Sequence, residues 1–153
     1  MQNSNPTRIL GIDPGSNITG FGVIDVIDNR LHHIESGCIN IPKKDTFPNR
    51  LKYLYDKIAE LIDIHSPSIL AMEDSFVSKN AKSSLKLGQA RGIVMLAAAK
   101  ADVNVTEFPP TEVKIALTGF GHATKEQVSD LVKRRLNIKL TDKFDASDAL
   151  AVA

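Results

Sequence analysis

The sequence predicts a mixed α/β fold: a five-stranded sheet of three antiparallel strands followed by parallel strands, flanked by helices. Two observations predict it. Near the N-terminus three apolar segments follow one another across short turn signals, the pattern of a meander. Beyond residue 46, stretches with helical spacing alternate with short apolar runs, the pattern of crossover connections and parallel pairing.

The elements follow in order. Ile9, Leu10 and Ile12 are closely spaced and apolar, which predicts a strand over 8–13. "DPGS" after it is turn chemistry. Strands over 19–27 and 30–41 are joined at "DN", a short-turn signal. Leu51, Leu54, Tyr55, Ile58, Leu61 and Ile62 recur at helical spacing over 47–65, and Pro67 ends that helix. "SILAME" is a short strand, 80–100 a second helix and "VNVTEF" a fifth strand. "PPTEVKIALTG" opens a helix with proline in its first turn. Thr124 and Gln127 form a capping box for a helix over 125–136. A last helix starts near Thr141 or Asp142.

The 153 residues suffice for one domain with a real core, and 42% apolar content is that of a globular chain. Residues 1–7 are expected to be flexible, because "MQNSNPTR" is polar; it also lacks the character of a signal peptide. The longest apolar run, "IVMLAAA", has seven residues, against about 20 for a membrane span. The single cysteine, Cys38, excludes a disulfide scaffold and a Cys-rich zinc site and suits a reducing, cytoplasmic setting. A net charge of +1 names no partner, so any nucleic-acid binding must come from local basic patches.

The acidic residues are more informative. Strand 1 ends at Asp13; strand 4 ends at Glu73, with Asp74 next. If strand 4 returns parallel to strand 1, both ends share the edge where open α/β sheets place their sites. Asp145 and Asp148 stand three apart at the start of the last helix, hence on one face. Two like charges ~5 Å apart repel by roughly 3 kcal/mol at an effective dielectric near 20, so protons or cations must relieve such a cluster. Oxygen ligands without His or Cys favour Mg²⁺ or Mn²⁺, and two such ions can cleave a phosphodiester. Singly, each acid has a plainer reading: Asp13 as a turn residue, Asp145 and Asp148 as capping charges.

"GIDPGSNITGFGVI", "AMEDSFVSKNAKSSLKLGQARG" and "DASDALAVA" together resemble, in order and spacing, the three acidic motifs of the RuvC family of Holliday-junction resolvases, within the RNase H-like superfamily. The likeness runs from Ile9 to Ala153. It implies an RNase H-like fold and a structure-selective, Mg²⁺-dependent endodeoxyribonuclease that nicks two strands of a four-way junction as a homodimer. Asp13, Glu73, Asp145 and Asp148 are then the catalytic, metal-binding acids, holding two Mg²⁺ ions for which Mn²⁺ can substitute. The resemblance also implies work with the branch-migration proteins RuvA and RuvB. The chain stops at "DALAVA", inside a pattern that the family continues, so the last helix is expected to be cut short.

Residues 75–92 carry Lys79, Lys82, Lys86 and Arg91 and no acid, directly after Glu73. Such charges bind phosphates, although a solvated helix face looks the same. Phe76, among them, is a core residue or an aromatic that stacks on bases. The resemblance favours DNA. It likewise matches Lys114 and Lys125 to lysines near the scissile phosphate, where a cation stabilises growing charge. Gly88 and Gly92, four apart in a helix, suggest close backbone approach, either to the protein's own sheet or to a dimer partner. Two other functions compete. A non-catalytic four-way-junction binder would not need the full acid set. An ATP-using enzyme of the actin-like superfamily needs two large lobes.

Overall fold

The structure, a computed structural model, describes residues 5–75, 80–140 and 144–153. Three strands come first: β1 (Thr7–Asp13), β2 (Ile18–Ile27) and β3 (Arg30–Asn40). Then follow α1 (Phe47–His65), β4 (Ile69–Glu73), α2 (Ala81–Lys100) and β5 (Asn104–Phe108). The helices α3 (Pro110–Thr118), α4 (Lys125–Leu136) and α5 (Phe144–Val152) complete the chain. The strands form one sheet in the order β3-β2-β1-β4-β5. β1, β2 and β3 pair antiparallel, and β1–β4 and β4–β5 pair parallel, as the sequence predicts.

Local chemistry explains the boundaries. Asp28 and Asn29 both have positive φ, as the tight turn that continues strand twist requires. Ser66, in the left-handed region, closes α1 one residue before Pro67. Thr124 accepts from the Gln127 N–H and Gln127 reaches back to the Thr124 N–H, a complete capping box on α4. The expected start of the last helix, at Thr141 or Asp142, lies outside the described residues. So does most of the N-terminal segment expected to be flexible.

Strand alternation sorts the side chains between two layers. Leu10 and Ile12 of β1, with Leu70 and Met72 of β4, pack under Leu54, Ile58 and Ile62 of α1 and Val94 and Ala98 of α2. The opposite face takes α3, α4 and α5, through Ile24, Val128, Val132 and Leu150 and through Ala71, Val113 and Val152. At about 25 cal/mol per Å² of apolar surface, each fully buried Leu or Ile contributes roughly 1.5–3 kcal/mol. No helix among the described residues is long and apolar enough to cross a membrane.

Candidate active site

The register of β1 and β4 builds one wall. Ile12 pairs with Met72 and both face α1 and α2, so Asp13 and Glu73, one residue on, stand side by side on the other face. α5 lies on that face, close enough to bring its acids within reach, because the strands beneath it carry glycine. Gly11 pairs with Gly22, and Asp13 with Gly20. A β-carbon at Gly20 would run into the Asp145 carbonyl, and one at Gly11 into the Ala149 carbonyl. Glycine inside a strand often marks such an approach. The β1–β2 turn after Asp13 is held by Arg50 of α1, which donates to the Ser16 carbonyl and, at 2.7 Å, to Asn17 Oδ1.

The result is a cavity of about 260 Å³ lined by Asp13, Glu73 and Asp148, with Lys114, Lys125 and Ser75 among its neighbours. Burial pushes the Asp13 carboxyl up from 3.8 to about 7, and the charges of Asp148, Asp145 and Glu73 add to the effect. Glu73 and Asp148 are also raised, first by burial, against the opposing pull of Lys125. Lys125 Nζ lies 3.3 Å from Asp148 Oδ2, and that carboxylate raises the lysine in turn. Asp145 does not line the cavity, but its charge reaches Asp13 and Asp148. Among the described residues, no three acidic, histidine or cysteine side chains are gathered closely enough to hold one ion. The donor set itself is all hard oxygen, which fits Mg²⁺ or Mn²⁺ and not a soft metal.

The basic residues divide. Lys114 and Lys125 border the cavity. Lys82 is exposed on the first turn of α2. Lys86 is half-buried, with its ammonium 5.6 Å from the centre of the Phe47 ring. Phe76 and Lys79 lie outside the described residues. Arg91 requires a correction: it is not a surface cation awaiting phosphate. It is 8% exposed and donates at 2.5 Å to the Glu73 carbonyl. It also bonds the Glu107 carboxylate and stands 3.6 Å from Asp74 Oδ1. The basic character of its segment masked a residue whose partners are acids 16 to 18 positions away in sequence. Gly88 and Gly92 are exposed, and a β-carbon at either would meet nothing within 4 Å among the described residues, so packing on the protein's own sheet does not explain them.

A five-stranded sheet of this order, with acids at the ends of its first and fourth strands and on its last helix, is the frame of an RNase H-like nuclease. The family model described as crossover junction endodeoxyribonuclease RuvC matches residues 9–153, and the chain belongs to that family. The RuvC of Geobacter sulfurreducens is 47% identical over 95% of this chain and 89% of its own length. That of Chromohalobacter salexigens is 49% identical over 96% and 78%. Among solved structures, Thermus thermophilus RuvC in complex with Holliday junction substrate superposes with a TM-score of 0.89 at 30% identity, covering 96% of this chain and 90% of that one.

Proposed function

We propose that this chain resolves Holliday junctions by metal-dependent hydrolysis of one phosphodiester bond in each of two strands. One observation carries the reading beyond family membership. Asp13, Glu73 and Asp148, from three separate elements, line one cavity that two lysines also border, and the charge of Asp145 reaches two of those acids. That combination suits a phosphodiester: the lysines attract the anionic backbone, while the acids would repel it unless cations intervened.

Asp13, Glu73, Asp145 and Asp148 are the residues that would hold Mg²⁺, or Mn²⁺ in its place, as two ions. Bound there, such ions supply an activated water and neutralise the leaving oxygen. The chain's own part is to keep the acids on rigid strand ends and a packed helix. Lys125 neutralises Asp148 in the absence of substrate and, with Lys114, offers charge to the phosphate as negative charge grows on it. Lys82 and Lys86, and Phe76 and Lys79 beside them, are proposed to contact the junction arms. The enzyme is proposed to act as a homodimer through the outer face of α2, in the cytoplasm, alongside RuvA and RuvB.

The test is direct. Incubated with Mg²⁺, the protein should nick a synthetic four-way junction symmetrically in two strands and leave a linear duplex of the same sequence intact. In Ca²⁺ it should bind the junction without cutting. Binding without cutting in both Mg²⁺ and Mn²⁺ would reduce it to a junction-binding protein.

A further inference from the structure

Glu73 and Asp74 are adjacent acids at the end of β4, and only Glu73 lines the cavity. Strand alternation accounts for part of this. The Asp74 N–H still bonds the Phe108 carbonyl at 2.7 Å, so the β4–β5 ladder continues past Glu73. Asp74 therefore turns to the α1–α2 face while Glu73 turns to the α5 face. Arg91, rising from α2 on that first face, meets the strand end there. Its guanidinium donates to the Glu73 carbonyl at 2.5 Å, bonds the Glu107 carboxylate, and stands 3.6 Å from Asp74 Oδ1. Glu107 pairs with Met72 in the β4–β5 register, so its side chain lies on the Arg91 side of the sheet. Three acceptors from two strands thus converge on one fork. The planar guanidinium can serve them together; a lysine ammonium on a flexible stem cannot hold the same three directions.

We infer that Arg91 is a positioning residue, fixing the Glu73 backbone so that Glu73, not Asp74, presents its carboxylate to the metal-binding cavity. The inference rests on the reading of Glu73 as a metal-binding acid. Arg91 touches neither the cavity nor any reacting atom; it acts on the peptide unit that carries Glu73. The strand end needs this help. β5, which pairs with this end of β4, is a short edge strand whose side chains are largely exposed. The bond from Arg91 ties the Glu73 carbonyl to the middle of a 20-residue helix whose inner face is buried. The same fork neutralises Asp74, so a second carboxylate does not compete for the ion one residue away.

The test compares the full chain with Arg91→Lys and Glu107→Gln. Two readouts are taken: the magnesium concentration that gives half the metal-induced rise in Tm, and turnover of a four-way junction at saturating Mg²⁺. In Arg91→Lys the magnesium midpoint should rise, and turnover fall, by about 10- to 100-fold, the usual consequence of loosening a group that orients a metal ligand. Junction affinity in Ca²⁺, and its salt dependence, should match the parent. Glu107→Gln removes one anchor of the fork and leaves Arg91 in place; it should move both readouts the same way by less. It also decides the matter if Arg91→Lys does not fold. Weaker junction binding with a shallower salt dependence would overturn the inference and return Arg91 to DNA contact. Parent-like magnesium midpoints in the variants would overturn it as well, leaving an ion pair that serves the fold alone. If the parent cuts no junction, the nuclease reading fails, while the magnesium midpoint still decides the role of Arg91. If the parent's Tm ignores magnesium, the metal site and this inference fall together.

Discussion

Asp13 sits at the end of a buried strand, beside three other acids, with its carboxyl raised from 3.8 to about 7. The folded chain therefore binds a proton there that the unfolded chain has already released across most of that interval. Stability rises with pH only where the unfolded state binds more protons, so at this residue it falls as pH climbs from about 4 to about 7. Glu73 and Asp148, raised for the same reason, add to the fall. His33, lowered by burial, works the other way, which makes a comparison with one variant cleaner than a single profile. In metal-free buffer, Asp13→Asn should melt like the parent near pH 4 and above it at pH 8. Each kcal/mol of relieved repulsion corresponds to about 2–4 °C in a chain of this size. Added Mg²⁺ should raise the parent's Tm at pH 8 and leave Asp13→Asn nearly unmoved, because the variant has lost both the repulsion and the ligand. A variant that melts below the parent at pH 8 without metal would mean that Asp13 holds the fold as a turn residue.

At the scale of elements, the site depends on how closely α5 can lie on the sheet. Gly11, Gly20 and Gly22 lie beneath it, and Gly20 meets the turn that carries Asp145. Gly20→Ala places a methyl against the Asp145 carbonyl, and backbone cannot swing aside as a side chain can. Overpacking of this kind costs about 1–3 kcal/mol, and here it must also lift the first turn of α5. The unfolding free energy should drop by that amount, read as a lower denaturant midpoint, while helix content holds, and the magnesium-induced rise in Tm should shrink, since Asp145 and Asp148 move together. A variant with parent stability and a parent magnesium response would show that the close approach is incidental. Which of these features the sequence discloses depends on the range of the interaction. Strand ends, capping box and helix spacing are local, so Asp13, Glu73 and the span of α4 are legible at once. The meander and the parallel return of β4 follow from element order. The glycine bed of α5 leaves only a faint mark, three glycines in strands, because its partner is more than 120 residues away in sequence. The role of Arg91 is hidden for the same reason: its charge is visible in the sequence, but Glu107, Asp74 and the Glu73 carbonyl are brought to it only by the fold. The Arg50 hold on the turn after Asp13, from 33 residues away, has no local signal at all.

At the scale of the whole molecule, α2 has two faces with different tasks. The inner face packs Ala90, Val94 and Ala98 into the core and carries Arg91. The outer face presents Gly88 and Gly92, where a β-carbon would meet nothing within 4 Å among the described residues, and on the same helix Leu85 and Leu96 are 65% and 50% exposed. Apolar side chains with two glycines between them suit close approach of a second helix, and a four-way junction with paired cut sites suits a two-fold dimer. Gly92→Leu tests this without endangering the protomer. A β-carbon there meets no atom of the described residues within 4 Å, and the helix propensity of leucine exceeds that of glycine by about 1 kcal/mol. The protomer should therefore stay folded, with the circular dichroism of the parent. In sedimentation at micromolar concentration it should run as a monomer, and the parent as a dimer. The acids of the proposed site are untouched, so any residual cutting should be of single strands: nicked junctions should accumulate and paired cuts disappear. A Gly92→Leu protein that remains dimeric and still cuts both strands together would place the interface elsewhere on the molecule and leave the outer face of α2 free for DNA.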